Sequence, residues 1–326
     1  MHNSAQPLFI FICLFLSAFG CKSEGLRHEE AYPDELAQTN SRLNSTPVVP
    51  VRSLDSLQIL SDLRYFASDT CEGRKPGTRG HQLARERIQM RFRQALLDSF
   101  GNSLDQTFVG REINGTTTGI NVVGWIKGSR VPDSFIVVSA HYDHLGVTPS
   151  GTYYGADDNA SGVACLLALA RYFRKSPPEY SMVFAAFDRE ESGLQGARNF
   201  VQSFITDAGR KVKMNLNMDM IARSDNNRIY AVGVRHYPEL RYLVEETRST
   251  SGTELLMGHD SGTLREDWTN QSDHYAFHLQ KIPFLYIGVE DHPDYHRTTD
   301  TFARVDPSTY IENCNMVLTM LRKVHR

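Results

Sequence analysis

Six short apolar runs that alternate with helix-like segments restrict the fold that this sequence can adopt. The runs are five to seven residues long: INVVGWI, SFIVVSA, SMVFAAF, MNLNM, RIYAVG and IPFLYIG. Apolar residues recur at helical spacing near 54–66, 80–100, 160–174, 195–207, 237–249 and 306–324. This alternation predicts the α/β class, with a single three-layer α/β/α domain around a central mixed sheet that is mostly parallel.

The N-terminus carries an apolar run of the kind that directs export. The run covers residues 8–19 and is too short to span a bilayer. The small residues Ala18 and Gly20 before Cys21 resemble a bacterial lipoprotein signal, in which the cysteine is lipidated and becomes the first mature residue. Residues 1–20 are therefore predicted to be a signal peptide, and the mature chain a periplasmic or cell-surface lipoprotein. Ordinary cleavage into a secreted protein is the alternative, because no Lys or Arg precedes the run.

Residues 21–52 differ in composition from the rest of the chain. They are polar, mixed in charge and contain three prolines, which is typical of a flexible tether. Residues 53–326 are predicted to form one domain, because no repeat or shift in composition divides them. The interval between Arg74 and His141 is also too short for an inserted domain of common size.

Charge and cysteine content exclude two classes of protein. The formal net charge is -3 and no cluster of Lys or Arg appears, so the sequence predicts no nucleic-acid partner. Membrane contact is predicted only through the lipid on Cys21. The other cysteines of the mature chain, Cys71, Cys165 and Cys314, are too few for a disulfide framework and are predicted to be buried.

Residue types that bind metals stand where predicted strands end. His141 directly follows SFIVVSA, and Asp219 directly follows MNLNM. Glu190 and Glu191 follow SMVFAAF after two intervening residues. Because ligands of open α/β sheets gather at the carboxyl edge of the strands, these side chains are expected to lie close together. The two glutamates are adjacent and must point in different directions, so one can hold a metal while the other faces a water molecule.

Two further residues complete a possible metal centre. They are Asp158 in GADDNASG and His296 in DYHRTTD. Two imidazoles and three carboxylates could hold two zinc ions and leave one more carboxylate free to act as a base. Each motif alone has an ordinary explanation, such as a solvated helix start or a hydrogen-bonded loop. Their joint occurrence at strand ends favours the metal centre.

These motifs resemble, in their order, those of the zinc aminopeptidases, whose family also contains glutamate carboxypeptidases and glutaminyl cyclases. ASDTCEGRKPGTRG matches the early Gly-Arg loop of this family, and SDHYAF matches a late segment. The resemblance implies that His141 and Asp219 bind one zinc ion and that Asp158 bridges it to a second. Glu191 and His296 would bind the second ion.

The resemblance covers roughly residues 60–302 and also implies roles for residues beside the ligands. Glu190 would be the general base, and Tyr295 would support the developing oxyanion. Asp143 would orient His141.

Several neighbours compete with the proposed ligands. Asp157 is a rival of Asp158, but the residue directly before Asn159 matches the family pattern, in which the peptide bond between residues 158 and 159 is cis. Asp300 is expected to brace the His296 loop. Six other histidines are predicted to lie on the surface, in packing contacts or behind the ligands: His144, His236, His259, His274, His278 and His292.

The function expected from these residues is that of a dizinc exopeptidase that removes N-terminal residues from a peptide substrate. A glutaminyl cyclase-type acyltransferase with one zinc ion is the main alternative, and carboxypeptidase or dipeptidase activity also stays open. A third possibility is a catalytically inactive peptide-binding module, against which the complete ligand set and Glu190 argue. Side-chain preference and oligomeric state are not predicted.

Overall fold

The computed structural model of the protein describes residues 53–113, 115–247, 253–262 and 266–324. The predicted signal peptide, the lipid site at Cys21 and the predicted tether lie outside the described residues and stay predictions. Within the described part of the chain, no helix combines the length and the apolar character that a membrane crossing requires.

Within the described ranges, ten strands form a large sheet of eight and a small hairpin of two. In chain order they are β1 Asp105–Glu112, β2 Gly115–Ile126, β3 Val131–His141, β4 Gly146–Thr148, β5 Gly151–Tyr153, β6 Tyr180–Phe187, β7 Lys211–Met218, β8 Arg228–Val232, β9 Glu254–Met257 and β10 Phe284–Gly288. The large sheet has the order β1-β2-β6-β3-β7-β10-β8-β9, and β4 pairs with β5. The four central strands of this order, β6, β3, β7 and β10, are parallel to one another. Strands β2 and β8 flank them, and each is antiparallel to its central neighbour.

Helices cover both faces of the large sheet. They are α1 Ser56–Phe66, α2 Arg79–Gln94, α3 Gly162–Lys175, α4 Gln195–Phe200, α5 Arg241–Glu245, α6 His274–His278 and α7 Pro307–Lys323. Short 3₁₀ and π turns occur at Asp69–Arg74, Ala156–Ser161, Val201–Asp207, Pro238–Leu240 and Phe302–Arg304.

The side chains of β3 show how the layers are held together. Successive residues of a strand point to opposite faces of the sheet. Ile136 and Val138 accordingly join the core formed with α1, α2, α3 and α7, whereas Phe135 and Val137 join the core formed with α4 and α6. The prediction of a three-layer α/β/α domain with a mostly parallel sheet is therefore confirmed.

Two details differ from the sequence-based expectation. The second helix was expected to reach about residue 100, but it ends at Gln94. Leu96 adopts a positive φ of 53°, and the N–H of Leu97 donates to the carbonyl of Phe92, which closes the helix end. Leu97 and Phe100, farther along, pack against the two cores and do not extend the helix. Strands β1, β4, β5 and β9 were not expected at all.

Candidate functional site

The carboxyl edge of the parallel strands brings the predicted ligands together. His141 is the last residue of β3, and Asp219 directly follows β7. In the register of the sheet His141 pairs with Phe187, the last residue of β6, so Glu190 lies just beyond the same edge. Strand register thus places side chains from three strands at one site.

The first donor group is centred on His141. Its Nε2 lies 3.2 Å from Asp219 Oδ1 and 3.3 Å from Asp158 Oδ1. Its Nδ1 lies 3.2 Å from the backbone carbonyl oxygen of Asp143 and 3.7 Å from the carboxylate of that residue. We assign the ring proton to Nδ1 because a carbonyl oxygen can only accept. The lone pair of Nε2 then faces the two aspartates, and Asp143 orients the ring mainly through its main chain.

The second donor group is centred on His296. Its Nε2 lies 3.1 Å from Asp158 Oδ2 and 3.4 Å from Glu191 Oε2. The two oxygens of Asp158 therefore face different imidazoles, as a bridging carboxylate requires. The His296 side chain is 39% exposed, so this side of the site is open to a ligand from solvent.

These separations fit zinc. Two donors that each lie 2.0–2.1 Å from a tetrahedral zinc ion are about 3.3–3.4 Å apart. The distances between donors in both groups, from 3.1 to 3.4 Å, match this value. The five expected residues could thus hold metal ions: His141, Asp158, Glu191, Asp219 and His296.

His144 is a site residue whose contacts the sequence did not reveal. Its buried Nδ1 lies 2.7 Å from Glu191 Oε1 and 3.7 Å from Asp158 Oδ2, and the three residues form a group that could also hold a metal ion. A separation of 2.7 Å is a hydrogen bond and is too short for two ligands of one zinc ion. We therefore interpret His144 as the residue that orients Glu191. Its position directly after Asp143 was the available signal.

A buried arginine holds the loop that carries Asp158. The side chain of Arg74 is fully buried and donates hydrogen bonds of 2.7–3.2 Å to five backbone carbonyl oxygens, those of Phe66, Tyr142, Tyr154, Gly155 and Asp158. Five donors in a planar fork suit such a set of acceptors. Arg74 therefore ties the Gly-Arg loop to the chain on both sides of the metal-binding loop.

Asp300 and Asp157 support the same loop. The carboxylate of Asp300 accepts the backbone N–H groups of Asp157 and Asp158 at 3.0–3.2 Å. Asp157 in turn accepts the N–H of Ala222 at 2.6 Å, and its other oxygen lies 3.2 Å from His292 Nε2. Because both oxygens of Asp157 are engaged away from the imidazoles of the site, the geometry favours Asp158 as the ligand. The peptide bond after Asp158 is cis, which confirms that prediction.

The buried carboxylates and imidazoles shift one another's pKa. Burial raises the pKa of the Asp158 carboxyl, but His144, His141 and His296 outweigh burial and hold that pKa well below its ordinary value. Hydrogen bonds to Asp158 and Glu191 raise the pKa of His296 to about 10. The carboxylates of Asp158 and Glu191, whose pKa values are both lowered, stay ionised in this setting and require a cation beside them, either a proton on an imidazole or a metal ion.

Glu190 has surroundings unlike those of its neighbour Glu191. Its backbone N–H donates to Asp143 Oδ1 at 3.0 Å, and no described residue forms a hydrogen bond to its carboxylate. Burial raises the pKa of Glu190 well above its ordinary value. The charge of His141 lowers this pKa in part, and the charge of Asp219 raises it further. The carboxylate is therefore free and more basic than an ordinary glutamate.

Tyr295 lies beside the second donor group. Its ring stacks on that of His296, with 4.0 Å between the centroids. Burial raises the pKa of Tyr295, and the charges of Asp158 and Asp219 raise it further, so the phenol keeps its proton. It can donate a hydrogen bond to an oxygen that gains negative charge at the site.

With this geometry established, comparison with known proteins gives the family. The model of peptidase family M28 matches residues 121–321, which contain every residue of both donor groups. The chain belongs to peptidase family M28.

Three relatives illustrate the range of this similarity. A probable zinc metalloprotease of Pyrenophora teres f. teres is 30% identical over an alignment of 264 residues that covers 73% of this chain and 52% of that protein. Aminopeptidase YwaD of Bacillus subtilis is 28% identical over 195 residues, which are 58% of this chain and 41% of that protein. The M28 chain thus spans about half the length, or less, of these curated relatives.

The third relative is a solved structure, the glutaminyl cyclase of Bacteroides thetaiotaomicron bound to N-acetylhistamine. It superposes with a TM-score of 0.69 at 18% identity, over 84% of this chain and 99% of that chain. At this identity the similarity shows the shared fold.

We predict that Arg74→Lys destabilises the protein because an ammonium group cannot reach all five carbonyl oxygens. Each buried acceptor left without a partner costs about 1–3 kcal/mol, so the free energy of unfolding should fall by at least about 3 kcal/mol in urea titrations. Arg93→Lys is the control, since the guanidinium of Arg93 is exposed and its one hydrogen bond to a described side chain is to Gln89. A stability of Arg74→Lys within about 0.5 kcal/mol of the control would contradict the assigned role.

Proposed function

We propose that this M28 peptidase is a dizinc aminopeptidase, which hydrolyses the N-terminal residue from a peptide. The position of the Asp158 carboxylate supports two zinc ions. One of its oxygens lies 3.3 Å from the His141 imidazole, and the other lies 3.1 Å from the His296 imidazole. The match to an aminopeptidase of Bacillus subtilis supports the substrate class.

The proposed reaction assigns a separate task to each site residue. Zinc, when bound, supplies Lewis acidity that polarises the scissile carbonyl and lowers the pKa of water. The free carboxylate of Glu190 removes a proton from the attacking water and passes it to the leaving amine. Tyr295 donates a hydrogen bond to the carbonyl oxygen as negative charge develops there. His144 and Asp143 hold Glu191 and His141 in place.

Glutaminyl cyclisation is the second candidate function. The close superposition on a bacterial glutaminyl cyclase, which this chain covers almost completely, favours it. A cyclase with one zinc ion would use only one of the two donor groups, although the separations in both suit a metal. The peptidase proposal uses both groups, and we prefer it for this reason.

The two adjacent glutamates give a prediction about metal and activity together. Glu190→Gln keeps the shape of the side chain but removes its basicity, so turnover should fall by roughly 100-fold to 10,000-fold while bound zinc stays near the wild-type amount. Glu191→Gln should lose about one zinc ion, because a neutral amide is a poorer ligand than a carboxylate. Zinc is measured by atomic absorption on each purified variant and turnover by peptide hydrolysis. Equal zinc loss in both variants, or full activity of Glu190→Gln, would overturn the assignment.

A substrate panel tests the proposed activity against its alternatives. Peptides with a free N-terminal amine should release their first residue, and N-acetylated versions of the same peptides should react at least about 100-fold more slowly, because the site must bind the amine. Mass spectrometry identifies every product. Pyroglutamyl peptide with ammonia would indicate a cyclase, and loss of the last residue from acetylated peptides would indicate a carboxypeptidase. Zinc binding without any turnover would indicate a peptide-binding module.

A further inference from the structure

A basic groove lies beside the metal-binding residues and has no part in the chemistry proposed above. Its volume is about 1050 Å³, and it lies between the β1–β2 hairpin and the segment that follows β6. We call it the hairpin groove and define it by the residues that carry the argument: Lys75, Arg111, Glu112, Arg189, Ser192 and Arg198.

Strand register places the hairpin groove at the same edge of the sheet as the metal site. Strand β2 pairs with β6 only over residues 122–126, and Val122 is opposite Ala186, one residue before β6 ends. The part of β2 before residue 121 therefore pairs with β1 alone and extends beyond the carboxyl edge. The opposite wall of the groove includes Ser192, the residue directly after Glu191.

The charges that line the hairpin groove are mostly positive. Four cationic side chains line it against the single carboxylate of Glu112. Lys75, Arg111 and Arg198 are exposed, and none of them forms an ion pair with a described carboxylate. Unpaired cations in a concave surface attract anions more strongly than the same charges on a flat surface.

Arg189 supplies a fixed cation in the groove. Its side chain is only 2% exposed, and its two terminal nitrogens lie 3.2 Å from the single Oε1 of Glu112. Its buried Nε has no hydrogen-bond partner among the described residues. Gly110 permits this placement, because a Cβ there would come within 2.9 Å of the Arg189 side chain. Arg189 also directly precedes Glu190, so the fixed cation and the proposed base are consecutive residues.

We propose that the hairpin groove binds carboxylate groups of the peptide substrate, downstream of the bond that is cleaved, and that the protein prefers acidic peptides. This inference rests on the proposed peptidase function for the direction of the peptide. The exposed apolar side chains of Val109 and Ile113 on the hairpin would contact the aliphatic parts of the same peptide. The carboxylates come from Asp or Glu side chains or from the C-terminus of the peptide.

The direct test is the ratio of kcat/KM for an acidic peptide to that for its neutral counterpart. The acidic hexapeptides carry one or two Glu at successive positions from the third to the sixth, and each neutral counterpart has Gln in place of Glu. Every peptide is made with a free and with an amidated C-terminus. Exposed ion pairs contribute little individually, so we expect the ratio to reach about 3- to 10-fold at the best position and to approach one at high salt. A response to Glu in amidated peptides identifies side chains as the source, and a response only to the free terminus identifies the C-terminal carboxylate.

Variants then connect this preference to the groove. The double variant Arg111→Gln with Arg198→Gln should bring the ratio of kcat/KM values close to one. Partial unfolding does not change this ratio, because both peptides report on the same active fraction. Arg228→Gln is the control, since Arg228 begins β8, near the opposite edge of the sheet. It should keep the wild-type ratio. A ratio near one for the wild type at every position, or equal loss in the control, would overturn the proposal.

A binding measurement separates this proposal from the proposed catalysis. Fluorescence anisotropy of a labelled, N-acetylated Glu hexapeptide and its Gln counterpart needs no turnover. The Glu peptide should bind about 3- to 10-fold more tightly to the wild type and equally to the double variant. Tighter binding of the acetylated Glu peptide, with no cleavage of the free-amine hexapeptides, would contradict the peptidase proposal alone. Cleavage of the free-amine hexapeptides, with equal binding of both acetylated peptides, would contradict the groove alone.

Discussion

Negative charge buried at one edge of the sheet is the constraint around which this protein is arranged. Asp158, Glu190, Glu191 and Asp219 meet where three strands and a loop converge, and such a group is stable only beside cations. The imidazoles, the hydrogen bonds of Asp300 and the buried guanidinium of Arg74 all stabilise the positions of these carboxylates. The proposed chemistry follows from the one carboxylate that none of these partners engages, that of Glu190.

Three consecutive residues after β6 perform three different tasks. Arg189 adopts a positive φ of 60°, which turns the chain sharply at the end of the strand. Its side chain meets Glu112 of the hairpin, Glu190 stays free, and Glu191 meets the imidazoles of the second donor group. A single turn therefore separates the buried cation beside the hairpin groove, the proposed base and the proposed metal ligand, and it connects the hairpin groove to the candidate site.

The sequence predicted the central sheet and the meeting of the candidate ligands at one edge because both depend on local patterns. Apolar runs form the inner strands, and the residues directly after them must lie at the carboxyl edge. Strand β1 could not be predicted in this way, because DQTFVGRE is largely polar and its pairing is decided by β2. The contact of His144 with Glu191 likewise depends on the approach of two segments that are 47 residues apart.

Anomalous diffraction at the zinc absorption edge, from crystals of the wild-type protein loaded with zinc, tests the central claim most directly. The account predicts two peaks on either side of the Asp158 carboxylate, one against His141 and Asp219 and the other against Glu191 and His296. A single peak at full zinc loading, or a second peak held by His144 with His296 turned away, would contradict it.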